Sequence, residues 1–144
     1  MSKMRLLVVS LTDHVQGPAM AAVLRKVLPR RFSHIKWEVE SAAMIKFHAG
    51  KKTDSRMVTA LKESGYDDKH HVTRVLDYDD LEKFDYFLPI DAQSRSFLHL
   101  KVMNAPIQPT ILRAIQIQNP QYVKDKTGYK DCIRTCERAA LTVL

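Results

Sequence analysis

The stretch RLLVVSLTDHVQGPAMAAVLRKVL, from Arg5 to Leu28, passes from an apolar run through a short polar loop into an amphipathic helix. Such an uninterrupted apolar run suits a strand buried on both faces, as central strands of parallel sheets are. A helix follows at once, with Pro18 as its opening residue and Met20, Val23, Leu24, Val27 and Leu28 as its buried stripe. A loop between strand and helix turns unpaired backbone N–H groups toward one point, the geometry that α/β proteins use to hold an anion. The chemistry usual for that task is missing: between Ser10 and Pro18 there is no cysteine, lysine or arginine, and the one acid is Asp13.

The rest of the chain repeats the strand-to-helix alternation. HIKWEVESA alternates Ile35, Trp37 and Val39 and reads as a second strand. TDSRMVTALKESG reads as a helix capped by Thr53, with Met57, Ala60 and Leu61 on its apolar face and Gly65 as its stop. HHVTRVL reads as a short strand, and Asp77 as the cap of a brief helix in DYDDLEKF. FDYFLPID is an apolar strand with Pro89 near its end, AQSRSFLHLKV a helix, ILRAIQI the last strand and Gly128 to Leu144 the last helix. This order predicts an α/β fold: an open parallel sheet of about four strands with helices on both faces, a Rossmann-like three-layer arrangement in one domain spanning residues 1–144. Ligands in such sheets bind beyond the C-terminal strand ends, where the loop after Ser10 falls.

Charge and cysteine usage narrow the class. The net charge of +7 raises nucleic acid or an acidic surface as a partner, yet Arg25-Lys26, Arg30-Arg31, Lys51-Lys52, Lys124 and Lys126 are dispersed and not interleaved with aromatics. They read as solvated faces, and nucleic acid is a disfavoured partner. The N-terminal apolar run is too short for a signal peptide or a membrane span, so a cytoplasmic protein without a membrane partner is expected. Cys132 and Cys136 share a helical face with Tyr129, Ile133, Ala140 and Val143 and read as small buried hydrophobes. Six scattered histidines supply no ligand set, so no metal and no cofactor is expected.

Several fragments fall in an order that points further. They are the strand ending at Ser10, the five residues LTDHV, then Gln16, Gly17 and Pro18; WEVESAA; DLEKFDYFLPID, ending on Asp91; IQNPQY; and KDCIRTCERAAL. Together they resemble the low-molecular-weight protein tyrosine phosphatases over nearly the whole chain, a family whose signature is a strand, C-x5-R-[ST]-P, then a helix. The resemblance implies a phosphate loop of Leu11, Thr12, Asp13, His14, Val15 and Gly17. It also implies a nucleophile position at Ser10, a phosphate-clamp position at Gln16 and a general-acid position at Asn119. All three depart from the family's cysteine, arginine and aspartate, and Gly17 replaces its serine or threonine.

Each departure has a physical cost. A cradle cysteine ionises readily, its pKa falling to about 3.5–7.5, whereas a serine hydroxyl needs a base. His14, the nearby candidate, sits inside the loop itself and suits that role poorly. Gln16 offers only neutral hydrogen bonds, and Asn119 has no proton to give a leaving phenolate. Asp13 has two positions open to it: pointing into the cradle, where it repels phosphate, or facing away and pinning the loop. Phe47 and Tyr122 match the walls of the family's substrate crevice and suit an apolar side chain of a protein partner. The resulting expectation is that the chain is not an enzyme. It would be a catalytically inactive interaction or regulatory module that uses this face for a protein partner, independently of phosphotyrosine, or for a second copy. The alternatives are residual or altered phosphatase activity on phosphotyrosine or aryl phosphate, and binding of nucleic acid or an acidic surface through the basic charge.

Overall fold

The computed structural model describes residues 2–120 and 127–144. Strand β1 (Ser2–Ser10) lies between β2 (Ile35–Ala43) and β3 (Tyr86–Pro89), with β4 (Thr110–Ile111) outside β3, giving the order β2-β1-β3-β4. All three pairings are parallel, from Ser2↔Ile35 to Ser10↔Ala43 on one side of β1 and from Leu6↔Tyr86 to Val9↔Pro89 on the other. The helices are α1 (Gln16–Arg31), α2 (Ser55–Glu63), α3 (Asp80–Lys83), α4 (Ala92–Val102) and α5 (Thr127–Ala140).

The period-two alternation of a strand divides β1 between two cores. Leu6 and Val8 join Met20, Leu24, Leu61, Ile133 and Cys136, beneath α1, α2 and α5. Leu7 and Val9 join Leu81, Phe87, Leu98 and Val102, beneath α3 and α4. Both faces are therefore covered, which is why LLVVS carries no polar residue before Ser10. Cys132 and Cys136 are buried free thiols in the first of these cores. Among the described residues no helix is long and apolar enough to cross a membrane.

Element boundaries differ from the sequence expectation for identifiable reasons. Helix α1 begins at Gln16, so Pro18 is its third residue, still within the turn that needs no N–H partner. The cap of α2 is Asp54, whose carboxylate accepts the Arg56 N–H, because Thr53 turns its hydroxyl to Asp68 instead. Asp79 precedes α3, while Asp77 accepts the Asp79 N–H one turn earlier. HHVTRVL makes only isolated bridges, Lys52↔Val72 and Ala43↔Val75. ILRAIQI pairs in regular fashion only at its start; beyond it, single bonds from the Leu112, Ile115 and Ile117 N–H groups to Phe87, Pro89 and Ile90 carry the chain along β3. Helix α5 ends at Ala140, short of Leu144.

Candidate active site

The loop after β1 is fixed from below by backbone bonds. The Met44 N–H donates to the Ser10 and Leu11 carbonyls at 2.9 and 3.1 Å, and the Asp54 N–H to the His14 carbonyl at 3.0 Å. These bonds occupy the carbonyls of Ser10, Leu11 and His14. The N–H groups of Leu11, Thr12, His14 and Val15 donate to no acceptor among the described residues. Val15 precedes α1 without a side-chain cap, and no acid lies in the first turn, so the helix N-terminus is open at the same place.

Ser10 sits at the floor of this opening, where its Oγ accepts the Asp13 N–H at 2.9 Å. Asp13 has the second of its two possible positions. With φ at +51° it adopts the left-handed conformation that aspartate and asparagine tolerate best after glycine. Its carbonyl accepts the Thr73 hydroxyl at 2.6 Å, and its Oδ2 lies 2.7 Å from His71 Nε2, with Ser41 Oγ 3.3 Å from that same nitrogen. The carboxyl is thus fully buried and tied to His71 rather than exposed in the mouth of the loop. Burial pushes its pKa up, against the opposing pull of His71, Ser41 and Arg74.

Gly17 is required by close approach. A Cβ there would lie 2.6 Å from Asp13 Oδ1 and 2.9 Å from Ser10 Oγ. Asp13 Oδ1 is itself buried without a hydrogen-bond partner. Gln16, half-buried, opens α1.

A wall of three rings flanks the loop. His14 stacks on His48 with centroids 4.0 Å apart, and Phe47 meets His48 edge-on at 4.6 Å. Phe47 is 71% exposed, which puts a large apolar ring at the rim. Desolvation, and then the charges of His14 and Lys51, hold the His48 pKa down. His14 is therefore a wall residue. Asn119 is half-buried in the segment that Ile117 ties to Ile90, just past the C-terminal end of β3 and on the loop's edge of the sheet. Asp91, the last residue of the fragment DLEKFDYFLPID, caps α4. Tyr122 lies outside the described residues. Among the described residues no group of three metal-ligating side chains forms.

Ser41, His71 and Thr73 were not singled out from the sequence, although they hold Asp13 in place. The one available signal was a polar residue at alternate positions of HHVTRVL.

Residues 5–144 match the family described as low molecular weight phosphotyrosine protein phosphatase, and the chain belongs to that family. It is 29% identical over 143 residues to the low molecular weight phosphotyrosine protein phosphatase of Gallus gallus, covering 91% of this chain and 90% of that one. A crystal structure of a protein tyrosine phosphatase from Entamoeba histolytica, with Hepes in its active site, superposes with a TM-score of 0.77 at 26% identity, covering 95% of this chain and 92% of that one. The fold is shared with a cysteine-to-serine mutant of the arginine phosphatase YwlE whose active-site serine is phosphorylated, at a TM-score of 0.78 and 18% identity, covering 95% and 91% of the two chains. The expectation that this chain is not an enzyme is contradicted by these relatives, which are named phosphatases along nine-tenths of its length. Altered residue types in the loop were too narrow a basis for that inference, since the frame that presents the N–H groups is intact.

Proposed function

We propose that the chain is an altered phosphatase that acts on phosphotyrosine or aryl phosphate, with Ser10 in the nucleophile's place. The observation that carries this reading is the set of unpaired N–H groups of Leu11, Thr12, His14 and Val15 beside the open N-terminus of α1, with Ser10 Oγ at their floor. Such an array accepts the oxygens of a phosphoryl group. The phosphorylated serine named for the YwlE mutant supports a serine as phosphoryl acceptor in this fold.

In this reading Ser10 Oγ forms a bond to phosphorus as the bond from phosphorus to the phenolic oxygen breaks, and the hydroxyl proton passes to the departing phenolate. Water then displaces phosphate from the serine and returns the proton to Oγ. Asn119 cannot supply a proton, so phenols that leave readily as anions are the preferred leaving groups. Gln16 contributes neutral bonds where a guanidinium would make charge-assisted ones, each worth about 1.5–3 kcal/mol, so turnover is slow. The test is hydrolysis of p-nitrophenyl phosphate and a phosphotyrosine peptide, with intact-mass detection of phosphoserine. Slow turnover or an adduct that disappears in Ser10→Ala is expected; neither activity nor adduct in wild type overturns the reading.

The exposed ring of Phe47 favours a second use of the same face, contact with a protein partner or a second copy. Phe47→Asp then weakens association at least tenfold in sedimentation while the fold is kept. A cytoplasmic setting belongs to this reading and suits the unpaired thiols Cys132 and Cys136.

A further inference from the structure

A cavity of about 290 Å³ has Ser41 and His71 in its lining, and His71 also bonds the Asp13 carboxyl of the phosphate loop. We propose that this cavity binds a small oxyanion of the phosphate class, held by Arg25, Lys69, His70 and His71. The inference does not rest on turnover at Ser10.

The balance of used and unused groups points to an anion. The two acids of the lining are already engaged: Asp68 accepts the Thr53 hydroxyl at 2.9 Å and the His71 N–H at 3.2 Å, while Glu40 lies near Arg5 and Arg74 at 3.5 and 3.9 Å. Arg74 spends its guanidinium on Asp80 at 2.8 and 3.1 Å. Arg25 is different. Its Nε donates to the Val39 carbonyl at 2.9 Å, but its two terminal nitrogens make no hydrogen bond or ion pair among the described residues. It is half-buried, and burial works against its charge while Asp68, Glu40 and Asp67 pull the other way from a distance.

The opposite rim is held in place before any ligand arrives. Asp67 accepts the Lys69 N–H at 2.7 Å, and Asp68 fixes the His71 N–H, so the turn that carries Lys69, His70 and His71 is tied down at both ends. His71 Nε2 is committed to Asp13 and Ser41, which leaves Nδ1 as the ring nitrogen without a partner among the described residues; it donates to an oxyanion where it carries a proton and otherwise accepts the hydroxyl of a protonated phosphate. The volume lies just below the ~300–1,000 Å³ of ligand cavities, which suits a phosphate ion or a small phosphate monoester. Because the ring of His71 belongs both to this cavity and to the anchor of Asp13, the site adjoins the phosphate loop.

The test is a titration of the full chain with inorganic phosphate, against chloride at equal ionic strength, followed by backbone and imidazole NMR signals. Saturable shifts at residues 69 to 71 and at the His71 ring are expected. Arg25→Gln should raise the dissociation constant at least tenfold. Lys69→Glu, at an exposed position that does not threaten the fold, should do so several-fold. The proposal is overturned if chloride produces the same shifts, if the response is confined to residues 11 to 17, or if it survives both substitutions unchanged.

Discussion

After β3 the chain enters α4 through Asp91, and after β1 it enters α1 through Val15; both turns leave the same edge of one parallel sheet. In the first, the Asp91 carboxylate accepts the Ser94 N–H at 2.8 Å and Ser94 Oγ accepts the Asp91 N–H at 3.3 Å, closing the helix N-terminus with its own side chains. In the second, no side chain caps the helix, and the one carboxylate present, Asp13, is buried and tied to His71. A capping carboxylate and a bound phosphate compete for the same N–H groups. The uncapped turn leaves its N–H groups open to an anion, as the proposed function requires, and this contrast supports that reading independently of the residue types at Ser10, Gln16 and Asn119.

The comparison is broken most severely at Gly17. By helix propensity alone, Gly17→Ala in the first turn of α1 would stabilise by up to ~1 kcal/mol. The close approach predicts the reverse, because a Cβ 2.6 Å from Asp13 Oδ1 must displace a carboxyl already anchored by His71. A loss of about 2 kcal/mol is expected from the overpacking. Urea unfolding checks it, and a gain in stability would show that the loop yields freely.

Next in size is the closed turn. Asp91→Ala removes the acceptor for the Ser94 N–H and the partner of the Ser94 hydroxyl, and should cost about 1–2 kcal/mol. Thermal unfolding at neutral pH reads this directly. A negligible change would mean that water closes α4 as well as the side chain does, which would remove the distinction between the two turns.

How much of this was legible in the sequence depends on the range of the interactions involved. The alternation of strands and helices was visible, because burial of β1 on both faces and the stripe of α1 are written in consecutive residues. Loop identity was visible for the same reason. The position of Asp13 was not, since its partners His71 and Thr73 stand 58 and 60 residues away and reach it only once the sheet has formed. Thr53 and Asp54 show the limit at short range: two adjacent polar residues can each cap α2, and the contact of Thr53 with the distant Asp68 decides between them. The cavity around Arg25 was equally hidden, because Arg25 reads as one of a basic pair on a helix until β2 and the 67–71 turn close over it.

The smallest expected effect sharpens the comparison most, because one kind of substitution should act with opposite sign in the two turns. Asp91→Asn weakens a carboxylate that faces a helix N-terminus and should cost a few tenths of a kcal/mol, as charge at that end is favourable. Asp13→Asn acts on a carboxyl whose burial raises its pKa above 3.8, with Oδ1 left unpartnered. A group with a raised folded pKa binds its proton more tightly in the folded state, so its contribution is fully present below the unfolded pKa and is lost as pH rises through the folded value. Wild type should therefore lose stability relative to Asp13→Asn as pH climbs above about 4, where a normal aspartate would have ionised. The amide keeps an oxygen for His71 and carries no charge to desolvate, so the variant should be up to about 1 kcal/mol more stable at neutral pH. That advantage should shrink toward zero in acid. Melting curves of both proteins from pH 4 to pH 8 provide the check. A difference that does not change with pH, or one that favours wild type at neutral pH, would mean that the Asp13–His71 contact compensates the buried charge in full.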